Sequence, residues 1–421
     1  MKKKVLVLGC GGVASVAIAK ICQNSEVFSH LCIASRTLSK CDAMKEKWQP
    51  TTSTEISTEK IDANSKDQVV SLIKKFQPDV VLHLGMPYHN LVIMDACAEC
   101  KVNYIDTAAY EPEDTSEPVW RAKYEKRCKE VGFTALLEYA DQWASDSKYK
   151  EIGKTAICGA GFDPGVTSVF VAYAKKHYFD RIDYIDILDC NGGDHGYPFA
   201  TNFNTELNLR EVSAMGDYYE NGKWIQVPPM SVKYVYNFAQ AGPKDLYLLP
   251  HEENESHAKN YPEVKRFRFF MTFGQSYLTH MKCLENVGML QSSPVMYEGR
   301  EIIPIQFLKS LMPEPSSLGP RTVGKTNIGC IFRGVKDGKE KTIYIYNVCD
   351  HQESYKEVGS QAISYTTGVP AMIATELVAT GVWNLTGALN CENFDPDPFM
   401  ERLNKWGLPW VVDENPVLVE G

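Results

Sequence analysis

Gly9, Gly11 and Ala14 stand in VLVLGCGGVASVAIAKI at the spacing G-x-G-x-x-A, directly after an apolar β-branched run and at the opening of a run with helical period. A strand, turn and helix of this kind cradles a diphosphate. Gly9 permits the tight turn, Gly11 lets the backbone come close to the pyrophosphate, and Ala14 is small enough for helix to pack on strand. Gly12 and Val13 complete the turn, and the positive end of the helix dipole meets the anion. A purely structural glycine turn is the alternative, but strand, spacing, helix and first place in the chain agree on dinucleotide binding.

The second strand ends LCIASRT. Where Asp or Glu would accept hydrogen bonds from the ribose 2′-hydroxyl and repel a 2′-phosphate, the chain has Ser35, then Arg36 and Thr37. A hydroxyl and a guanidinium suit a phosphate dianion, so the pattern predicts NADP(H) over NAD(H). Ligands of such domains lie at the carboxyl ends of the strands. That rule nominates Asp62 and Ala63, Gly85, Met86 and Pro87, and Thr107, with Tyr88 and His89 able to reach toward substrate or to form a plain polar loop. Further on, AGFDPG offers the backbone of Gly161 and Phe162, and Asp163 stands either at the reacting carbon or merely ahead of a helix. CNGGDHGYPFATNFNTELNLREV (190–212) gathers Asp194, His195, Asn202, Asn204, Glu206 and Arg210 in a polar, glycine-rich stretch that is either a solvated loop or part of a site.

Residues 5–138 alternate short apolar runs with longer segments of helical period, the pattern of a parallel sheet with crossover helices. The runs are VLVL (5–8), LCIA (31–34), a weaker one near 55–61, VVLHL (80–84), NYIDT (103–107) and FTALLE (133–138), and Ser39 and Ser65 stand where helix N-caps belong. Six strands in this order make a doubly wound domain. From about 155 the pattern becomes α+β, with TAICGAGFDPG, a helix-like VTSVFVAYAKKHY, aromatic strands such as IDYIDILDC, VKYVYNFA and KTIYIYNV, and a DG hairpin turn at 337–338. GVPAMIATELVATG (368–381) reads as a helix opened by proline in its first turn and closed by glycine, and PDPFMERLNKWG (396–407) reads likewise.

The 421 residues exceed the roughly 250–300 at which a single core stops growing, so two domains are expected. A net charge of −9 argues against nucleic acid, whose phosphates need clustered Lys and Arg, and is compatible with a cationic substrate. Glycines interrupt the apolar run after Met1-Lys2-Lys3-Lys4, so it reads as a buried strand rather than a signal peptide, and no stretch reaches the ~18 to 20 apolar residues that cross a bilayer. Thirteen scattered cysteines, an odd number, form no disulfide framework and point to a reducing cytoplasm. Cys97 and Cys100 form one C-x-x-C inside an apolar helix-like run, with no second pair at zinc spacing, so no metal is expected.

The order GCGGVA, ASRT, AGFDPG, NGGDHG resembles the saccharopine dehydrogenase family. GPRTVGKTNIGC and the tail from YKEVGSQAISYTTGVPAMIATELVATG to DPDPFMERLNKWGLPW are similar to its carboxynorspermidine (carboxyspermidine) dehydrogenase branch, and the resemblance spans essentially the whole chain. With Gly192 and Gly193 aligned, Asn191 stands where lysine-pathway relatives carry the cysteine of CGGLP, which argues against carrying over a cysteine-based role. The resemblance implies an α/β fold, with a Rossmann doubly wound parallel sheet over 1–157 to which 368–421 return. An inserted α+β substrate and dimerisation domain then occupies 158–367, in a homodimer.

The implied reaction is NADPH-dependent reductive condensation of L-aspartate β-semialdehyde with a diamine, putrescine or 1,3-diaminopropane, in polyamine biosynthesis. It needs a cation for the substrate carboxylate, for which Arg210, Arg321 and Lys325 are candidates, and a carboxylate for the far ammonium, Asp194 or Glu206. It also needs a proton carrier, first His195 and then His351. The alternatives are a saccharopine-type amino-acid imine reductase and a non-catalytic NADP-binding protein.

Overall fold

The computed structural model describes residues 2–113, 119, 121–123, 125–126 and 139–419. FTALLE (133–138) lies outside them. The chain divides into two compact units, the first built from 2–111, 139–177 and 364–409, the second from 112–113, 178–363 and 410–419.

In the first unit β1 (Lys3–Leu8), β2 (Phe28–Ser35), β3 (Glu55–Lys60), β4 (Val80–His83), β5 (Asn103–Ile105), β6 (Thr155–Ile157) and β17 (Gly387–Leu389) form one parallel sheet. Their order is β17-β6-β5-β4-β1-β2-β3. The Val, Leu and Ile side chains of β1, β2 and β4 are buried on both faces, as a helix-covered parallel sheet demands. Because β1 lies between β4 and β2, the winding reverses there and a crevice opens at the carboxyl ends of these strands. Helix Lys66–Phe76 begins as expected at Ser65, whose side chain accepts from the Gln68 amide, and it turns Val69, Val70, Leu72 and Ile73 inward.

Three expectations for this unit are corrected. TAI of TAICGAGFDPG is strand β6 of the first sheet, inside the expected 1–157, but helix Val166–His177, expected in the second domain, stays in the same unit. The helix after β2 starts at Leu38 with Thr37 as N-cap, leaving Ser39 inside it, because bonds between the Ser35 hydroxyl and the Thr37 backbone have already closed the turn. The helix read from Gly368 runs from Ala362 to Thr380 and holds Pro370 in its interior. Ile363 donates its amide to Gln361 Oε1, which gives the helix a start upstream of the proline. Gly368 is a contact point: a Cβ there would lie 2.7 Å from the Val13 carbonyl oxygen, on the first helix, Gly12–Gln23.

The second unit is α+β. β7 (Arg181–Asn191), β8 (Gly216–Glu220), β9 (Lys223–Val227), β10 (Lys233–Phe238), β11 (Gly242–Leu249), β12 (Arg266–Thr272), β15 (Lys325–Lys336), β16 (Lys339–Asp350) and β18 (Trp410–Asp413) form a mixed sheet. Seven run in the order β10-β11-β12-β7-β15-β16-β18, with β8 against β12 and β9 against β8, while β13 (Val295–Tyr297) and β14 (Arg300–Ile302) form a separate hairpin. β18 pairs with β16, so residues 410–419 lie in this unit rather than with the first sheet. The expected turn joins β15 to β16, with φ of 49° at Asp337 and 72° at Gly338, the type I′ signature. Asp186 and Arg268, register partners on β7 and β12, are both buried and make a two-point ion pair of 2.6 and 2.8 Å.

Candidate active site

The first helix opens at Gly11 with no side chain capping it, so its first amides point into the crevice beside β1. Gly9 has φ of +126°, and a Cβ there would lie 2.6 Å from the Leu84 carbonyl oxygen at the end of β4. Both conformation and space therefore demand glycine. A Cβ on Gly11 would meet nothing within 4 Å, which leaves room above the backbone for a diphosphate. Gly12 faces the Ser364 hydroxyl, Val13 faces Gly368, and Ala14 is buried. These features fit a dinucleotide.

At the end of β2 the Ser35 hydroxyl donates to the Thr37 carbonyl, accepts from its amide and touches Cys41 Sγ at 3.1 Å. It shapes the turn. Arg36 is exposed and makes no hydrogen bond or ion pair among the described residues, and Thr37 is exposed beside it. A hydrogen bond from Cys10 holds the Cys41 thiol down to about 7, with Ser35 helping and burial opposing. Asp62 is exposed and accepts from the Asn64 amide, and Asn64 Oδ1 lies 2.7 Å from His89 Nδ1. Burial, and then Arg36, lower the His89 pKa. Arg36, Asp62 and His89 thus share one corner of the crevice. Ala63 packs against the core, Gly85 is exposed, Pro87 is buried at the head of a short turn, and Met86 and Tyr88 are half-buried.

In AGFDPG, Gly161 accepts from the Val166 amide and lies near the Thr107 carbonyl, so those two backbone segments meet. The Asp163–Pro164 bond is cis, and Asp163 is half-buried. The Phe162 side chain lies edge-on to Phe170 in the core; only its backbone is free for other work, and its carbonyl accepts from Thr167.

In the second unit, the NGGDHG loop is tied to residues 318–324 and to helix His351–Val358. Asp194 and Val323 exchange backbone hydrogen bonds, and Thr322 Oγ1 donates to the Leu318 carbonyl and reaches Asn202 Oδ1. Arg321 lies over the Tyr197 ring, 4.3 Å from its centre. His195 Nδ1 accepts from the Tyr197 amide, while the other ring edge faces the Ala200 carbonyl, and burial lowers its pKa. His351 is fully buried, and burial pushes it down to about 4. Its Nδ1 accepts from the Ala362 amide, so the proton sits on Nε2, which has no partner among the described residues and borders Gly193.

Other nominated side chains are held elsewhere in this unit. Glu206 is buried, with Arg210 Nη2 2.7 Å from one oxygen and Lys309 Nζ 3.2 Å from the other, so its charge is already matched. Arg210 also donates to the Glu113 carbonyl. Asn204 caps their helix, Thr205–Ser213. Lys325 donates to Gln240, Asp194 accepts from the Gly196 amide, and Asn191 accepts from Gly193. Cys97 and Cys100 lie in the first unit, Cys97 buried in the core, and no group of His, Cys, Asp or Glu suited to a metal occurs among the described residues.

The Saccharopine dehydrogenase NADP binding domain matches residues 5–157, and the Saccharopine dehydrogenase C-terminal domain matches 161–408. The chain belongs to the saccharopine dehydrogenase family. Its relatives include a carboxyaminopropylagmatine dehydrogenase of Synechocystis sp., 47% identical over 97% of this chain and 96% of that one. A carboxynorspermidine synthase of Vibrio alginolyticus is 42% identical, with 97% of each chain covered. Among solved structures, apo saccharopine dehydrogenase (L-Glu forming) from Saccharomyces cerevisiae shares the fold, with TM-score 0.70 over 98% of this chain and 99% of that one, at 16% identity. The protein is a dehydrogenase, and its first unit is the nicotinamide-cofactor domain of the family.

Two buried groups of that domain escaped the sequence reading. Asp106, at the end of β5, accepts from Tyr104 (2.8 Å), Gln142 (2.7 Å) and the Gly159 amide (2.7 Å). It clamps the ends of β5 and β6 together. His83, whose Nε2 borders Gly85, is pushed down to about 3 by burial. A lone Asp or His inside an apolar strand was the available signal.

Proposed function

We propose that this enzyme uses NADPH to condense L-aspartate β-semialdehyde with an aliphatic amine and to reduce the resulting imine, in polyamine biosynthesis. With a diamine, putrescine or 1,3-diaminopropane, the product is carboxyspermidine or carboxynorspermidine. End-to-end identity of 39–47% to relatives whose names carry such products carries this reading. The name of the Synechocystis relative favours a second amine, agmatine, with the same semialdehyde partner.

Gly9, Gly11, Gly12, Val13 and Ala14 would hold the diphosphate, and exposed Arg36, presented by the Ser35–Thr37 turn, would grip the 2′-phosphate. The bound dinucleotide supplies hydride. The chain's own residues must orient the imine, exclude water and move a proton. His351 suits the last task better than His195, because both ring edges of His195 face backbone partners while His351 offers a neutral Nε2–H. Arg321 is the better candidate for the substrate carboxylate, since Glu206 already neutralises Arg210 and Gln240 engages Lys325.

Oxidation of NADPH with aspartate semialdehyde plus putrescine, 1,3-diaminopropane or agmatine tests the proposal. Turnover only with aminoadipate semialdehyde and glutamate would replace it with a saccharopine-type reductase. No turnover in any mixture would leave an NADP-binding protein without catalysis.

A further inference from the structure

A second polar centre lies in the second unit, built on residues that the sequence reading did not nominate. His251, just past β11, stacks its ring on Phe269, 3.9 Å between centres and 19° from parallel. Carboxylates surround it: Glu253 bonds Nδ1, Glu252 lies 3.9 Å from the same atom, and Glu211 lies 3.8 Å from Nε2. Asp217 of β8 feels the imidazolium charge, and Asp189 of β7 raises the pKa of Glu211 through its own charge. Four acids, from one strand, two helices and the residue before the second helix, therefore face one imidazole, with Asp189 behind Glu211.

Two further observations separate this centre from a solvated acidic patch. Asp217 is 5% exposed, yet it accepts no hydrogen bond and makes no ion pair among the described residues. Asn254, next along from Glu253 and fully buried, has neither its amide nitrogen nor its oxygen paired, although its backbone amide bonds the His251 carbonyl. Buried carboxylates persist only when paired, and burial pushes both Glu211 and Asp217 up to about 7. The missing element is positive charge with hydrogen-bond donors. No group of side chains suited to a metal ion occurs among the described residues, and unpaired carboxylate and amide groups suit an organic cation that carries N–H donors. Tyr277, whose pKa is raised by burial and then by Glu211, donates to Asn208 at 2.6 Å.

We infer that this buried cluster binds the far cationic group of the amine substrate, an ammonium or a guanidinium, with Asp217 and Glu211 as its counter-ions. The inference rests on the amine-condensing reading above. It makes these two carboxylates determinants of which amines are accepted, in place of Glu206, whose charge is already matched within the protein.

Asp217→Asn and Glu211→Gln are compared with wild type in the full chain, using putrescine, agmatine and the monocation propylamine with aspartate semialdehyde and NADPH. The expected result is that each variant loses roughly 30-fold more kcat/KM with the dications than with propylamine, mostly through KM. NADPH affinity, followed by its fluorescence, should be retained. Equal losses for all three amines, or no loss, would overturn the inference. A thermal-shift arm needs no turnover: putrescine or agmatine should raise the wild-type Tm and should not raise that of Asp217→Asn. If wild type turns over none of the amines but still shows that shift, the cation site stands and the reaction reading falls. If neither dication shifts the wild-type Tm, the site falls. The ammonium and guanidinium sources are told apart by which of the two amines loses more in Glu211→Gln, and both results support the site.

Discussion

Gly193 lies so close to the imidazole of His351 that a Cβ on the glycine would overlap Nε2. The NGGDHG loop is thus fitted around a buried ring whose Nδ1 is already engaged by the Ala362 amide. Gly193→Ala is expected to displace either loop or ring and to lower kcat by about tenfold or more, with NADPH affinity retained. Steady-state kinetics beside a cofactor titration separates the two effects.

The same histidine makes stability depend on pH. Its pKa is 6.5 in the unfolded chain and about 4 when folded, so the unfolded chain binds more protons between those values. Its contribution is intact above 6.5 and is lost as pH falls toward 4, by up to about 3 kcal/mol. Glu211 and Asp217, raised to about 7, act in the opposite sense, since acid relieves their buried charge. Urea unfolding of wild type and His351→Asn at pH 7 and pH 4.5 cancels those common terms. Wild type should lose more stability than the variant, and equal losses would show that His351 is not held neutral.

Gly9 and Gly11 should answer alanine substitution differently. Gly9→Ala drives a Cβ into the Leu84 carbonyl at a φ of +126°, so about 2 kcal/mol or more of stability should go. Gly11→Ala meets open space and should melt within about 0.5–1 kcal/mol of wild type, yet lose about tenfold or more in NADPH affinity. Unchanged affinity in Gly11→Ala would mean that the diphosphate lies elsewhere.

Arg36→Ala removes a charge that serves no ion pair among the described residues. A charge-assisted bond to phosphate contributes about 1.5–3 kcal/mol, so NADPH should weaken roughly 10- to 100-fold while NADH stays within a factor of about three. Parallel Kd measurements with both dinucleotides check it.

Asp106→Asn replaces an acceptor of three donors, from Tyr104, Gln142 and Gly159, with a group that can accept on one side only. A cost of about 3 kcal/mol is expected in denaturant unfolding. A neutral result would mean that the clamp across β5 and β6 rearranges freely.

The parallel sheet was legible because buried strands such as VLVL and LCIA carry their burial in composition, and because Gly9, Gly11 and Ala14 carry a backbone requirement that few sequences meet by chance. What escaped notice depended on distance along the chain. β17 is three residues long and becomes a strand only because β6 offers an edge more than 200 residues earlier. The helix from Ala362 was read from Gly368 because proline usually marks a first turn, whereas here tertiary contact at Gly368 and the Gln361 bond outweigh the lost amide. In the second unit, His195 and Glu206 stood out by local density of polar residues. Glu211 sits inside that same polar stretch, but its partners His251 and Asp217 lie in other, ordinary-looking segments, and only folding brings the three together.

The return of β17 and of the helix Ala362–Thr380 to the first sheet has a bearing on biogenesis. A ribosome delivers the chain in order, so the cofactor domain waits, one edge uncovered and Gly12 without its Ser364 neighbour, until the intervening polypeptide has emerged. A stop codon late in the message would therefore damage the domain encoded first, and chaperones would have to shield that bare strand throughout synthesis.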